Sequence, residues 1–310
     1  LCGPPDVVDE EKVFYRMERK VVKQSLARQS AALRGEEGGL LYVADPATGK
    51  TLSAYRLSSP PVWDGMAAAG DSLYVSALDG TLSCYGRTGT KLTAPRMRKP
   101  DYENPDLVGH WRFDEGEGAV AKDESERFND ARVNAEWAPG IRGSALRFAD
   151  PSHLASVPDD ESLNMTGAIT IAAWIKPDEQ TADNPMLVIK HGEKGRYILR
   201  LNPQGHLGTV FWKNDERAAQ LLPAITVSPE WHHVAVTYDP AGTGRLRLYL
   251  DGAIAAEETS RADWGNPAGR EVTFSGRGRQ GYKGLMDEVR IYNRALEPEE
   301  ISGLFKELAP

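Results

Sequence analysis

The sequence of 310 residues contains only two cysteines, Cys2 and Cys84, and has no CxxC or HxxxH spacing. Two thiols so far apart do not make a zinc site, which takes four closely spaced ligands. The wide spacing of the two cysteines favours two free or buried thiols. A single long-range disulfide stays open as the alternative. No apolar run approaches the roughly 18–20 residues of a membrane span, so the sequence predicts no transmembrane helix.

The sequence also lacks an excess of basic over acidic residues. The chain has 37 Lys+Arg against 45 Asp+Glu, a formal net charge of −8 at pH 7. It therefore lacks the excess of basic residues typical of general binding to nucleic acid or anionic membranes, and we predict no nucleic-acid partner. With 40% hydrophobic and 26% charged residues, the composition excludes a disordered chain, a collagen and a coiled coil. At about 150 residues per domain, the length predicts two domains.

The first third of the chain changes its hydrophobic period. Between Glu10 and Leu33 apolar residues recur every three to four positions, and Gly35 follows, which predicts a helix and its end. From 37 to 86 the pattern becomes that of four short strands separated by Asp- and Gly-containing turns such as Asp45–Lys50. Four such strands describe one blade of a β-propeller.

The same segment contains two sequence motifs, "LLYVADPATGKTLSAYRL" and "AAAGDSLYVSALDGTLSCYG". They resemble the pyrroloquinoline-quinone-type propeller repeat. The resemblance implies that 37–86 is the terminal blade of a propeller and that 1–36 is a helical or irregular propeller insertion. One blade does not close a propeller, and the chain begins with Leu1 rather than Met. We therefore expect upstream blades of a longer parent chain as partners.

Residues 87–104 are basic and interrupted by proline, which predicts a linker. Alternation then dominates from 105 to 308, and many short strands with few helices predict an all-β, antiparallel two-sheet sandwich. A helix is predicted at Leu296–Ile301, with Glu297 near its start and Pro298 in its first turn. The predicted strands are 107–113, 131–135, 145–148, 153–157, 168–176, 186–190, 196–202, 206–213, 231–239, 245–251, 254–259, 271–275 and 284–292.

Six motifs occur in a fixed order in this second region: "LVGHWRFDEGEG", "GIRGSALRF", "ITIAAWIKP", "EWHHVAVTYD", "RLRLYLDG" and "GLMDEVRIYNRALEPEEI". They resemble laminin G-like, concanavalin A-like jelly-roll domains of bacterial secreted proteins. The resemblance implies a jelly-roll sandwich in an extracytoplasmic setting, meaning periplasmic, cell-surface or secreted. It also implies a binding role that is often directed at carbohydrate and often stabilised by calcium.

Several motifs that suggest other chemistry lack the context they need. Gly49-Lys50-Thr51 ends like a phosphate loop, but it lies in a predicted hairpin with no helix behind it. The GxGxxG letters of 276–281 precede a strand instead of opening a helix, so no dinucleotide site is predicted. His232 and His233 are adjacent on a strand and point to opposite faces, and His110 lies alone on another strand, so no metal site is predicted there.

Glycoside hydrolysis by retention requires two carboxylates about 5–5.5 Å apart. In the hydrolases of this fold, alternate residues of one strand supply them. The nearest pair in this sequence, Asp287 and Glu288, is adjacent and therefore predicted on opposite faces. We predict no catalytic residues in this domain.

Calcium is the inorganic partner that the jelly-roll resemblance implies. Two acidic loops lie near the start of the domain, and Asp287 belongs to the strand that closes it. Calcium takes six to eight oxygen ligands, often from such loops. By resemblance the candidate ligands are Asp114, Asp123, Asp130 and Asp287, and the open alternative is that these residues only form turns.

Aromatic rings near strand ends or loops are the candidate sugar contacts, because an exposed ring stacks on the apolar face of a sugar. Trp212, Trp264 and Tyr282 fit this description, and packing in the core or at its rim is the alternative for each. Arg277 and Arg279, in the loop before the last strand, are candidates to hold an anionic sugar.

These observations predict a non-catalytic module, at the C-terminal end of a larger secreted propeller protein, that binds carbohydrate or another surface ligand. Two alternatives stay open. In the first, the chain is the end of a quinoprotein-like propeller enzyme, whose cofactor ligands would come mostly from blades outside this sequence. In the second, the chain is a structural domain for cell-surface assembly.

Overall fold

The computed structural model describes residues 2–3, 20–86, 102–178 and 183–309. The chain divides into two compact units, Leu1–Tyr102 and Glu103–Pro310. The predicted helix lies partly outside the described residues, and so does the predicted linker up to residue 101. No helix within the described ranges has the length and apolar character of a membrane span.

The described part of unit 1 contains one helix and two small antiparallel sheets. Helix α1 (Lys20–Leu33) is followed by Gly35, whose φ of +90° suits glycine and ends the helix. The first sheet has the order β1-β2-β3 and the second the order β4-β5-β6. The strands are β1 (Cys2–Gly3), β2 (Gly39–Ala44), β3 (Thr51–Leu57), β4 (Pro61–Ala69), β5 (Ser72–Ala77) and β6 (Leu82–Tyr85).

The predicted short strands of unit 1 are therefore present, divided between two three-stranded sheets. Asp45 accepts a hydrogen bond from the backbone N–H of Ala47 (2.8 Å) and shapes the turn between β2 and β3. Gly49-Lys50-Thr51 thus belongs to a hairpin, as the sequence predicted. Cys84 is an exposed free thiol.

Unit 2 contains sixteen described strands and one described α-helix, α2 (Pro298–Leu308). The strands are β7 (Leu107–Trp111), β8 (Val120–Ala121), β9 (Ala131–Asn134), β10 (Glu136–Pro139), β11 (Ser144–Phe148), β12 (Leu154–Val157), β13 (Ile169–Pro177), β14 (Met186–His191), β15 (Gly195–Leu201), β16 (Leu207–Lys213), β17 (Glu216–Leu221), β18 (His232–Asp239), β19 (Arg245–Leu250), β20 (Ala253–Thr259), β21 (Val272–Phe274) and β22 (Gly284–Tyr292).

Two eight-stranded antiparallel sheets form the sandwich. The β13 sheet has the order β10-β11-β22-β13-β18-β19-β20, with β7 paired to β22, and the β15 sheet has the order β17-β16-β15-β14-β21-β12-β9-β8. Their alternating apolar residues bury one shared core, in which Trp111 and Phe274 meet edge to face at 4.8 Å. The predicted two-sheet sandwich is confirmed.

Helix α2 covers part of the outer face of the β13 sheet. Its start is fixed as the sequence predicted, with a reciprocal capping box between Glu297 and Glu300 and Pro298 in the first turn. Its apolar residue Ile301 packs with Ala172, Ala235 and Tyr249 of the sheet. Within the described part of unit 2, no α-helix packs in this way on the outer face of the β15 sheet.

Candidate functional site

The outer face of the β15 sheet carries an alternating row of basic and apolar side chains. Along β15, Tyr197, Leu199 and Leu201 point into the core, so Arg196, Ile198 and Arg200 point outward. The next strand continues the row, because Ile198 is paired with Val210 and Arg196 with Trp212. A single period-2 pattern thus places arginine, an aliphatic residue and tryptophan side by side.

The outward-pointing residues of β15 and β16 line a cavity of about 200 Å³, which we call the Trp212 groove. Its apolar part consists of Met186, Ile189, Ile198, Val210 and Trp212. Ile198 and Val210 are only 7% and 4% exposed although they lie on the outer face. Neighbouring side chains cover most of the surface of both residues. The groove therefore has an apolar floor.

The polar side chains of the groove are His191, Arg196, Arg200, Arg217 and Gln280. The guanidinium carbons of Arg196 and Arg217 lie 5.3 and 5.5 Å from the centre of the Trp212 ring, within cation–π distance. Arg196 is paired with the exposed Asp215. Arg217 donates to the side-chain oxygen of Gln220 at 3.1 Å.

Arg200 is held differently. Its Nε atom is buried and has no acceptor among the described residues. Desolvation, and then the positive charge of Arg217, lower the pKa of Arg200 below its ordinary value. Desolvation also lowers the pKa of His191, with Arg196 and Arg270 acting in the same direction. Arg200 and Arg217 thus lie close together in this groove, and neither forms an ion pair with a carboxylate among the described residues.

The expected exposed placement is not found for two of the three candidate aromatic residues. Trp264 is fully buried, donates from Nε1 to the carbonyl of Gly167 (2.9 Å), and packs edge to face against Tyr197 and Phe211. Tyr282 is also fully buried and donates to the carbonyl of Leu285 (3.0 Å). Neither ring presents a face to a sugar. Trp212 alone of the three is half-buried and lies in a groove.

The two candidate arginines of the loop before β22 do not line the groove. Arg277 and Arg279 are exposed, and Arg277 forms an ion pair with Glu271. Gln280, in the same short 3₁₀ turn, is the residue of this loop that lines the groove. The other polar lining residues were not predicted from the sequence, namely His191, Arg196, Arg200 and Arg217. The available signal was the alternation in "RYILRL", which places both β15 arginines on the face opposite the core.

The four aspartates proposed as calcium ligands mostly hold the backbone. Asp123 is fully buried and accepts four hydrogen bonds, from the N–H groups of His110, Ser125 and Asn129 and from the Ser125 hydroxyl. Asp130 accepts from the Asp123 N–H at 2.8 Å. A carboxylate has about four lone-pair positions, so Asp123 has none left for a metal ion.

Asp114 and Asp287 both accept from the 140–144 turn. Asp114 is exposed, accepts from the Ser144 N–H (3.3 Å) and forms an ion pair with Arg112. Asp287 accepts from the N–H groups of Ile141 (3.0 Å) and Glu288 (2.8 Å). Burial, and then the charge of Glu288, raise the pKa of Asp287 to about 8 against the pull of these N–H groups. Each oxygen of the Asp287 carboxyl group thus already accepts a backbone hydrogen bond.

The described residues therefore do not fit a calcium site. No three His, Cys, Asp or Glu side chains converge anywhere in the described ranges. Calcium stays a prediction of the resemblance alone.

We expect the melting temperature of the protein to be the same in millimolar CaCl₂ and in EDTA, because a ligand stabilises the folded state only where it binds. Differential scanning calorimetry measures this, with MgCl₂ as the ionic-strength control. A rise of several degrees specific to CaCl₂ would show that the aspartates rearrange around the ion.

Glu288 lies at a β-bulge between β22 and β13 and has a φ of +49°, which is unusual for a non-glycine residue. Its carboxylate is 2.7 Å from Nε2 of His110 and accepts from Arg290 at 3.0 Å. Hydrogen bonding to His110, together with nearby positive charge, lowers the Glu288 pKa against its desolvation. Arg290 continues the network to Glu307 of α2 (2.9 Å). Glu288 therefore contributes to attaching the helix.

The rings of the adjacent histidines lie in different surroundings. The His232 ring lies 2.8 Å from Asp251 and 2.7 Å from Ser228. The His233 ring is buried against Trp174 instead, with 5.6 Å between ring centres.

Comparisons with known proteins agree with this architecture. Residues 150–302 match the family Laminin_G_3, described as the concanavalin A-like lectin/glucanases superfamily. No curated protein matches the sequence.

Solved structures match the fold at low identity. Domain 4 of AbnA, an extracellular GH43 arabinanase from Geobacillus stearothermophilus, in complex with arabinotriose, has a TM-score of 0.51 at 21% identity, covering 66% of this chain and 98% of that domain. The binding domain of Paraclostridial Mosquitocidal Protein 1 has a TM-score of 0.53 at 18% identity, covering 65% of this chain and 52% of that one.

The binding domain of botulinum neurotoxin DC, in complex with SialylT, is similar as well, with a TM-score of 0.52 at 14% identity, covering 66% of this chain and 51% of that one. This chain thus matches about half the length of each toxin domain. The pyrroloquinoline-quinone-type resemblance of 37–86 stays a prediction. Over residues 150–302, the central and C-terminal part of the sandwich, the chain is similar to the concanavalin A-like lectin/glucanases superfamily.

Proposed function

We propose that unit 2 is a non-catalytic carbohydrate-binding module and that the Trp212 groove is its ligand site. The observation that carries the proposal is the groove itself. An apolar floor and a tryptophan lie on an outer sheet face that no described α-helix of the unit covers. Polar side chains surround this floor, and sugars present both an apolar C–H face and hydroxyl groups to such a surface.

The similar structures support this proposal. One is an arabinanase domain in complex with arabinotriose, and another is a toxin binding domain in complex with SialylT. Both share the fold of unit 2. Asp287 and Glu288 are buried and hydrogen-bonded, whereas the two carboxylates of a glycoside hydrolase must reach the substrate. Their burial therefore supports a non-catalytic role for the module.

Trp212→Ala is expected to abolish retention of the protein in affinity gels that contain its polysaccharide. The change removes the largest apolar surface of the groove, and aromatic residues of this kind often dominate binding energy. The measurement is the mobility of wild type and variant across gels containing neutral and acidic polysaccharides.

The matched control is Trp137→Ala. Trp137 is also a partly buried tryptophan, but it lies on β10 in the other sheet and donates to the carbonyl of Gly118. Retention of this variant should equal that of wild type. Equal retention of the Trp212 variant, with a melting curve showing that it is folded, would move the binding site away from the groove.

We further propose that unit 1 packs against additional propeller blades of an extracytoplasmic parent protein. Among its described residues, one buried apolar cluster consists of Leu41, Leu57 and Val75. Large apolar side chains are also exposed there, namely Leu33, Val43, Leu52, Met66, Tyr74, Leu78 and Leu82. Exposed apolar surface of this kind is typical of an interface. Repeats of 40–50 residues with the same turns in the sequence encoded before Leu1 would support this, and their absence there would contradict it.

A further inference from the structure

We infer that the Trp212 groove binds an acidic sugar, meaning a sugar ring that carries a carboxylate or a sulfate, and that Arg200 and Arg217 hold the anionic group. This inference rests on the proposed function of the same groove and names the chemical class of its ligand. It assigns the charge recognition to β15 and β17, and not to Arg277 and Arg279.

The charges of the groove are one-sided. Three arginines and one histidine line it, and no aspartate or glutamate is among its described lining residues. Asp215 neutralises Arg196 from the rim, where its own side chain is 86% exposed. Neither Arg200 nor Arg217 has a carboxylate partner among the described residues. The chain as a whole is acidic, with a net charge of −8, so this local excess runs against its composition.

Because Arg200 is partly buried, the excess of positive charge in the groove lowers the stability of the folded state. The Nε atom of Arg200 is buried with no acceptor in the described part of the chain, and a buried polar group without a partner destabilises the folded state. An anion in the groove would supply the missing acceptor. It would also offset the desolvation of Arg200 and the positive charge of Arg217, which together lower the pKa of Arg200.

The shape of the site fits one sugar unit. Guanidinium groups match the two oxygens of a carboxylate, or two oxygens of a sulfate, with paired hydrogen bonds. Trp212 lies beside them and is half-buried, so the exposed part of its ring offers an apolar surface to the C–H face of the sugar. At about 200 Å³, the cavity is smaller than the roughly 300–1,000 Å³ of sites for drug-sized ligands. We therefore expect one acidic residue of a polysaccharide to enter the groove.

The test compares the full 310-residue protein with Arg200→Gln, Arg217→Gln and Arg200→Lys variants. The control is the double variant Arg277→Gln/Arg279→Gln, which removes two exposed arginines that do not line the groove. Calorimetric titration at 150 mM NaCl uses polygalacturonate for carboxylate, chondroitin sulfate for sulfate, arabinan and dextran as neutral polymers, and polyglutamate as an acidic polymer without sugar. Melting curves confirm that each variant is folded.

We expect at least one acidic polysaccharide to bind more tightly than the neutral polymers and polyglutamate. Each Arg→Gln change should weaken it about 10- to 100-fold, the effect of losing a hydrogen bond between charged groups. Arg200→Lys should lie between wild type and Arg200→Gln, because lysine keeps the charge but not the paired geometry. The control should bind like wild type.

The outcomes separate the two proposals. Binding of arabinan or dextran that depends on Trp212, with no preference for acidic polymers, would overturn the acidic-sugar inference and leave the carbohydrate module standing. Polyglutamate binding as tight as polygalacturonate would assign the groove to acidic peptides and overturn the sugar class. If no polysaccharide binds, both proposals fail.

Discussion

Replacing Trp264 with alanine is expected to lower the free energy of unfolding of the sandwich by about 4 kcal/mol, because a fully buried tryptophan leaves a large cavity. Its ring is 0% exposed and packs against Tyr197 and Phe211, and its Nε1 bond satisfies the carbonyl of Gly167. Such a loss corresponds to a fall in melting temperature of roughly 8–16 °C for a domain of about 200 residues.

Urea denaturation followed by near-ultraviolet circular dichroism measures this loss. Trp264→Phe is the control, because it keeps most of the apolar volume and should recover more than half of the stability. If Trp264→Ala instead weakens glycan binding and leaves the unfolding transition in place, the ring serves a site and not the core.

Acid is expected to destabilise the protein through His233 as the pH falls from about 6.5 to 4. Desolvation, and then the positive charge of Arg290, lower the pKa of His233 to about 4 against the pull of Asp251. The unfolded chain takes up its proton near pH 6.5, whereas the folded protein resists protonation until about pH 4. The stability that depends on neutral His233 is therefore complete above pH 6.5 and lost across this window, a change of about 3 kcal/mol.

The comparison that isolates this effect is His233→Phe. Phenylalanine keeps a ring between Trp174 and Phe305 but does not titrate, and the Nδ1 atom it removes has no partner among the described residues. Between pH 7 and 4 the variant should lose about 3 kcal/mol less than wild type. Parallel pH profiles for the two proteins would show that the His233 ring is protonated as readily as in the unfolded chain.

The strands of unit 2 were largely predictable because each has two unlike faces. In β15 and β18 the alternation of apolar residues gave the strand and its inner face. The start of α2 was also predictable, because its signals are local. Glu297 and Glu300 cap its first backbone N–H groups, and Pro298 occupies the first turn. Strands β8, β10 and β17 were missed. Each lies at the end of its sheet, and its residues carry little of the alternating apolar pattern.

The candidate site was predicted less well, and the errors share one cause. Trp264 and Tyr282 follow strand ends in the sequence, which suggested exposure, yet both rings pack into the core of the sandwich. The aspartates of the first loops suggested a metal, yet Asp123 is occupied by donors from neighbouring loop residues and from His110. The environment of a loop side chain depends on distant segments, which local patterns do not specify.

The sequence by itself determined the two-sheet sandwich, the hairpin around Asp45–Lys50 and the beginning of the last helix, because alternation, turn residues and helix caps act between near neighbours. Only the tertiary structure decided which aromatic rings are buried and which arginines line the same groove. Strands distant in sequence lie side by side in each sheet, and burial and charge depend on those neighbours. The Trp212 groove exists because β14, β15, β16 and β17 are adjacent in the folded sheet.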